Sequence, residues 1–304
     1  MLSKISNNTK GGVVLLSATI IWGFAFVFQD MAGEHLGAFA INGVRMIIGG
    51  LFLLLFLALK KDVKIDKYTL IGGAISGFAL FVASTFQQFG ISSYLDSQAA
   101  AGKSGFITAL YMVFVPIISF IFLKRKPDFM IIISLAIAIP GMYLLCVKNG
   151  FAVEVADILI LLCAVCFAVQ ILCVDFFTKK ANPIKFSFVQ LTACGVYSLI
   201  FMLFFEKPTL IGFKNALLPI LFIGLFSSGV AYTMQVVGQK LMREANKASL
   251  IMSLESVFAA IAGVLILKEK MSANEMLGCV LVFIAVLLAQ TDLKTIKNIF
   301  LKKS

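Results

Sequence analysis

The 304 residues are 61% apolar and only 13% charged, with a mean hydropathy of +1.02. A chain this apolar cannot cover itself with polar surface in water, so lipid is its expected solvent. The formal charge of +11 would suit nucleic acid in a soluble protein, but the cations here sit in short connections between apolar runs, so a nucleic-acid partner is not expected.

The first apolar run, 11–29, is long enough to span and has no small-residue cleavage site behind it, so it reads as a transmembrane helix rather than a removable leader. Thr19, Trp22, Phe26 and Gln29 share one of its faces. Further spans are expected at 39–59, 68–90, 99–123, 129–147, 156–177, 186–205, 215–238, 247–267 and 272–290. The expected fold class is therefore an all-α membrane protein of ten transmembrane helices. Alternate connections differ in charge: 19 of the 26 Lys and Arg fall on the side that holds both termini, six on the other, and Arg45 inside a span. That asymmetry places both termini in the cytoplasm of a multi-pass cell-membrane protein. The basic tail, 293–304, is expected to rest on the anionic inner leaflet.

The chain also repeats itself. Residues 101–126 match 245–270 without a gap at 10 of 26 positions, including Lys103/Lys247, Leu110/Leu254 and Lys124/Lys268. Residues 75–90 match 223–238 at seven of 16, including Gln87/Gln235. A repeat of five spans inverts the second copy. The expected organisation is one five-helix repeat over 1–150 and a second over 151–304, around a central cavity. Such symmetry supplies two conformations of similar energy, each open to one side.

Intramembrane polar groups are costly and so are functional candidates. Glu255 lies about 12 Å into its span. It reads as a proton- or substrate-coupled gate or an amine site, or else as a helix–helix contact. Its repeat counterpart is Tyr111, on one face with Ser104 and Thr108. Arg45 suits an anionic substrate group, though it could instead pair with Glu255 or reach outward to the interface; its counterpart is Gln190. Span eight carries a polar stripe, Ser228, Tyr232, Gln235 and Gln239, at helical spacing, with Ser84, Gln87 and Gln88 in the matching part of span three. Trp22 could stack on an aromatic or cationic substrate or simply pack. Gln170 is a further candidate for the cavity wall. The substrate-binding set is thus Trp22, Arg45, Gln87, Tyr111, Gln170, Gln190, Tyr232, Gln235 and Glu255.

Other features read as structural. Gly73-x-x-x-Gly77 suits close helix packing, Asp175 is placed to pair with Lys179, and Lys103 and Lys247 read as interfacial anchors. Six cysteines lie in apolar runs, and Cys163-x-x-Cys166 has redox-motif spacing but sits inside a span. His35 is the only histidine and falls in a loop.

Trp22-Gly23, Arg45, Leu254-Glu255 and Leu267-Lys268-Glu269 in this ten-span frame resemble the EamA-like branch of the drug/metabolite transporter superfamily. The resemblance implies an exporter of amino acids, related metabolites or drugs, with spans 1–4 and 6–9 around the cavity and spans 5 and 10 outside it. The family pattern often has Pro where this chain has Ser256; Met112 occupies the matching place in the first half, with Pro116 beyond. The helix break is therefore expected to be weaker or displaced here.

A secondary transporter is the leading expectation, with proton coupling open as an energy source. No Walker motif is present, and no cofactor, metal cluster or catalytic constellation suggests an enzyme. A lipid flippase is the alternative, and a channel or membrane enzyme less so. The expected partners are a small-molecule substrate and the bilayer, with homodimer formation open.

Overall fold

The computed structural model describes residues 6–94, 97–146, 154–266, 268 and 272–291. The basic tail and the 267 and 269 positions of the Leu-Lys-Glu motif lie outside them. Within the described residues the chain is all helical, without strands.

Helix α1 (Asn7–Gly33) starts at Ser6, whose hydroxyl accepts from Thr9 N. It is followed by α2 (Ala38–Leu59) and α3 (Lys67–Ser93). Asp66 caps α3 by accepting from Thr69 N and Thr69 Oγ1, and the Thr69 hydroxyl holds its carboxyl below the usual carboxylate range. The fourth crossing is broken into α4 (Ser97–Ala109) and α5 (Tyr111–Leu123). Then come α6 (Phe129–Cys146), α7 (Val155–Phe177) and α8 (Pro183–Phe205). The short α9 (Leu210–Asn215) leads to a continuous crossing made of α10 (Leu217–Phe222), a π-helical segment (Ile223–Ala231) and α11 (Tyr232–Met242). A second broken crossing follows, α12 (Ala245–Met252) and α13 (Glu255–Ile266), and α14 (Ala273–Ala289) ends the described chain.

Eight of these crossings are long and apolar enough to span a bilayer. This is a multi-pass membrane protein. The apolar helices at the expected fifth and tenth spans, Phe129–Leu144 and Ala273–Ala289, are shorter. They pack along each other, with Gly141 against the Gly278 carbonyl and Leu281.

The bundle has two ends. The near end carries the start of α1 and the ends of α5, α7 and α11; the far end carries the starts of α2, α4 and α7. Ion pairs tie both. At the far end Lys103 bonds Glu154 and Asp157, while Tyr94 donates to Asp157 at 2.7 Å. At the near end Arg125 bonds Asp175 at 2.8 Å and Lys185 bonds Asp62. Asp175 therefore reaches across to α5 rather than pairing with Lys179 on its own helix. Lys247 pairs with Glu244, and His35 is exposed in its loop.

The helices approach closely where glycine permits. A Cβ on Gly23 would lie 2.3 Å from Phe258 Cβ, so α1 and α13 touch backbone to side chain there. Gly73 and Gly77 of α3 fit against Val189, Ala193 and the Gln190 carbonyl of α8, as the small-residue spacing predicts.

Candidate functional site

The two broken crossings meet the cavity at their breaks. In the fourth crossing Leu110 N bonds Ile107 O and Val113 N bonds Leu110 O, a tightened turn that ends α4 before Tyr111. In the second broken crossing, Leu254 N bonds Ile251 O, while the hydroxyls of Ser253 and Ser256 bond back to the carbonyls of Leu250 and Ser253. Such back-bonding competes with the helical ladder and bends it. The break thus lies just before Glu255 and needs no proline at Ser256; Pro116 sits within α5, away from the break. Tyr111 and Glu255 each become the first residue of a new helix, where the N-terminal dipole favours a carboxylate.

Between these breaks lies a cavity with about 420 Å³ of free space counted to its open side. Seven of the nine sequence-derived candidates line it: Trp22, Arg45, Gln87, Tyr111, Tyr232, Gln235 and Glu255. Gln170 and Gln190 lie beneath, towards the near end. Gln235 Nε2 donates to Gln170 Oε1 at 3.0 Å, and Gln170 Nε2 donates to Gln190 Oε1 at 3.1 Å.

The two ionisable groups of opposite type in the wall, Arg45 and Glu255, form no ion pair with each other. Arg45 is 1% exposed; its Nε donates to Asn42 Oδ1 at 2.9 Å, and its Nη2 is buried without a partner. It neither pairs with Glu255 nor reaches solvent. Glu255 is 4% exposed, with Oε1 unpartnered, and the Tyr111 hydroxyl faces its carboxyl group. Buried polar atoms are normally satisfied, so an arginine donor and a carboxylate oxygen left free in one cavity are an arrangement that a ligand would complete.

The aromatic wall is fixed in place. Trp22 Nε1 donates to the Ser227 carbonyl at 3.3 Å, and its ring lies 5.1 Å from that of Tyr232. Gln87 donates to Thr108 Oγ1 at 3.2 Å. The polar stripe of span eight is shifted from its expected register. Ser227, not Ser228, lines the cavity with Tyr232 and Gln235. The π segment explains this, because its i→i+5 pitch puts Ser227 and Tyr232 on one face. Ser228 turns to the α2 side, where a Cβ on Gly49 would meet it, and Gln239 donates to the Ile171 carbonyl. The apolar wall residues Phe167, Ile171 and Met252 had no polar signature to mark them in the sequence. Cys163 and Cys166 are free thiols.

A family model for the EamA-like transporter family matches the chain twice, over residues 9–147 and 155–291. The chain belongs to this family. It is a membrane transporter of the EamA-like family. Among curated proteins it is 31% identical to an uncharacterized transporter of Archaeoglobus fulgidus over 278 residues, covering 90% of this chain and 83% of the relative. It is 26% identical to the uncharacterized transporter YoaV of Bacillus subtilis over 277 residues, covering 88% and 92%. A solved crystal structure of a protein at 13% identity superposes with a TM-score of 0.75, covering 93% of this chain and 96% of its own. That likeness extends to the fold.

Proposed function

We propose that this EamA-like transporter is a secondary carrier that exports a small zwitterionic metabolite, an amino acid or a close relative, by alternating access. The observation that carries the reading is the cavity itself. Its wall offers an unpaired guanidinium on Arg45 and an unpaired carboxylate on Glu255. A substrate carboxylate on Arg45 and an ammonium on Glu255 would satisfy both, and Trp22 and Tyr232 give the intervening side chain an aromatic surface.

Ten spans arranged as two inverted five-helix repeats, 1–150 and 151–304, form the scaffold of this reading. Three facts support it. The family model matches two successive segments. Both broken crossings break at equivalent positions, before Tyr111 and before Glu255. Lys124 and Lys268 are equivalent too, and both adopt positive φ, 54° and 57°. The shorter α6 and α14 are the fifth and tenth crossings, outside the cavity. The excess of Lys and Arg at the near end supports cytoplasmic termini. Energy would come from the substrate gradient or an ion gradient, with Glu255 the candidate proton carrier.

The test is counterflow in proteoliposomes loaded separately with amino acids, amines, nucleobases and sugars, using wild type and Glu255→Gln. Saturable exchange confined to amino acids supports the reading. If Glu255→Gln keeps counterflow but loses pH-driven uptake, Glu255 is the coupling group. No exchange with any solute class, from protein shown to be folded, would move lipid flipping to the front.

A further inference from the structure

A second binding feature lies outside the cavity, where α5 and α7 end side by side at the near end. Their outward surfaces border an open apolar groove lined by Ile118, Phe122, Leu172, Cys173 and Phe176 among others. Within one or two residues of its last apolar side chains the character changes abruptly. Lys124, Arg125 and Lys126 follow α5, and Lys179 follows α7; all four are exposed.

Arg125 joins the two walls. Its Nη1 donates at 2.8 Å to Asp175 Oδ2, and Asp175 is only 3% exposed while Arg125 is 42% exposed. The buried carboxylate ties Arg125, just past the end of α5, to α7, and the arginine stays partly exposed. One carboxylate does not balance Lys124, Arg125 and Lys126, and Asp175 also faces Lys179, Lys240 and Arg243 around a small polar pocket on the α11 side. A partly exposed guanidinium anchored by one carboxylate and followed by further cations is suited to a phosphate. A second apolar groove, between α3 and α8, lacks this device: its Lys185 is already bonded to Asp62 Oδ1 and to the Lys64 carbonyl.

We propose that the α5–α7 groove and its cationic rim form a binding site for an anionic phospholipid, one acyl chain lying in the groove and the headgroup phosphate on Arg125 and its neighbouring lysines. The charge complementarity and the length of apolar groove below it call for an amphiphile rather than a free anion. The site is separate from the transport cavity and does not depend on which solute is carried.

The experiment uses the full chain, delipidated in detergent and placed in nanodiscs of phosphatidylcholine with or without phosphatidylglycerol. Retained lipid is counted by native mass spectrometry. Wild type is expected to retain phosphatidylglycerol in preference to phosphatidylcholine. Lys124→Gln, Lys126→Gln and Lys179→Gln should each weaken that preference, by about fivefold per lysine, without disturbing the Arg125–Asp175 pair. Cys173→Trp should fill the groove and reduce retention of both lipids, and circular dichroism would verify that it folds. Equal retention of the two lipids by wild type, an unchanged preference in the triple lysine variant, or equal protection by glycerol phosphate alone would each overturn the proposal.

Discussion

Gln170 is bonded to Gln235 on one side and to Gln190 on the other, and Gln190 Oε1 also accepts from Ser76 Oγ at 2.6 Å. Four helices, α3, α7, α8 and α11, are thereby tied at one level, each about 10–14 Å from its near end. Under the proposed repeat, Arg45 and Gln87 are the counterparts of Gln190 and Gln235. They make only bonds within their own half, to Asn42 and Thr108. In the proposed carrier this amide belt is the near-side barrier; at the far side the halves are tied instead by Lys103 and Tyr94 to Asp157.

The belt predicts the behaviour of Gln170→Ala. A net hydrogen bond contributes about 1 kcal/mol, and this variant removes the central link, so the near-open state should gain about five- to tenfold in population. Met252→Cys in a cysteine-free background places a thiol in the cavity wall. Its labelling by an impermeant maleimide applied from the near side should accelerate by that factor. An unchanged rate would mean that the belt is not the barrier.

Under the proposed zwitterion reading, Arg45 and Glu255 predict opposite selectivity changes. Arg45→Gln should raise KM for an amino acid about 10- to 100-fold, the worth of a charge-assisted hydrogen bond, and leave the corresponding amine nearly unaffected. Glu255→Gln should do the reverse, sparing a carboxylate that lacks the amine. Competition in the counterflow assay measures both. Equal losses for acid and amine in either variant would count against the zwitterion reading.

Much of this was legible in the sequence because membrane energetics are strict. Apolar runs marked the helices, eight of them long and apolar enough to span, and the cost of burying polarity singled out Arg45, Tyr111, Gln235 and Glu255, which the fold brings into one wall. What escaped was backbone irregularity. Nothing in Ile223–Ala231 announces a π segment, so the stripe at Ser228 was placed one residue off. Asp175 was assigned to Lys179 because helical spacing favours local partners, whereas Arg125 lies 50 residues away in the chain. The cap on α2 was equally invisible, since its carboxylate comes from beyond α8.

Close packing separates two glycines of α1. Gly23→Ala forces a Cβ into Phe258 and the backbone of Ala259, whereas a Cβ on Gly12 would meet only Ile251 Cδ1 at 3.5 Å. Overpacking of this kind typically costs about 1–3 kcal/mol. Gly23→Ala should therefore lower the thermal midpoint in detergent clearly, with Gly12→Ala close to wild type. Similar midpoints for the two would show that α1 and α13 can separate at no cost.

Glu206 makes the last prediction. Its two carboxylate oxygens accept from Phe39 N at 2.9 Å and Ala40 N at 2.8 Å, and so cap α2 from the residue that follows α8. Gly37 supplies no side-chain cap of its own. The carboxylate satisfies two orphan donors and complements the helix dipole, so Glu206→Ala should cost about 1 kcal/mol, as lost caps do. The variant that separates the two contributions is Glu206→Gln, whose single amide oxygen can accept at most part of this bidentate contact; it should fall between Ala and wild type in thermal stability. Because α2 carries Arg45 eight residues from its start, loosening the cap should also weaken substrate affinity modestly. If Glu206→Ala matched wild type in both measurements, α2 would be held by its packing on α8 alone.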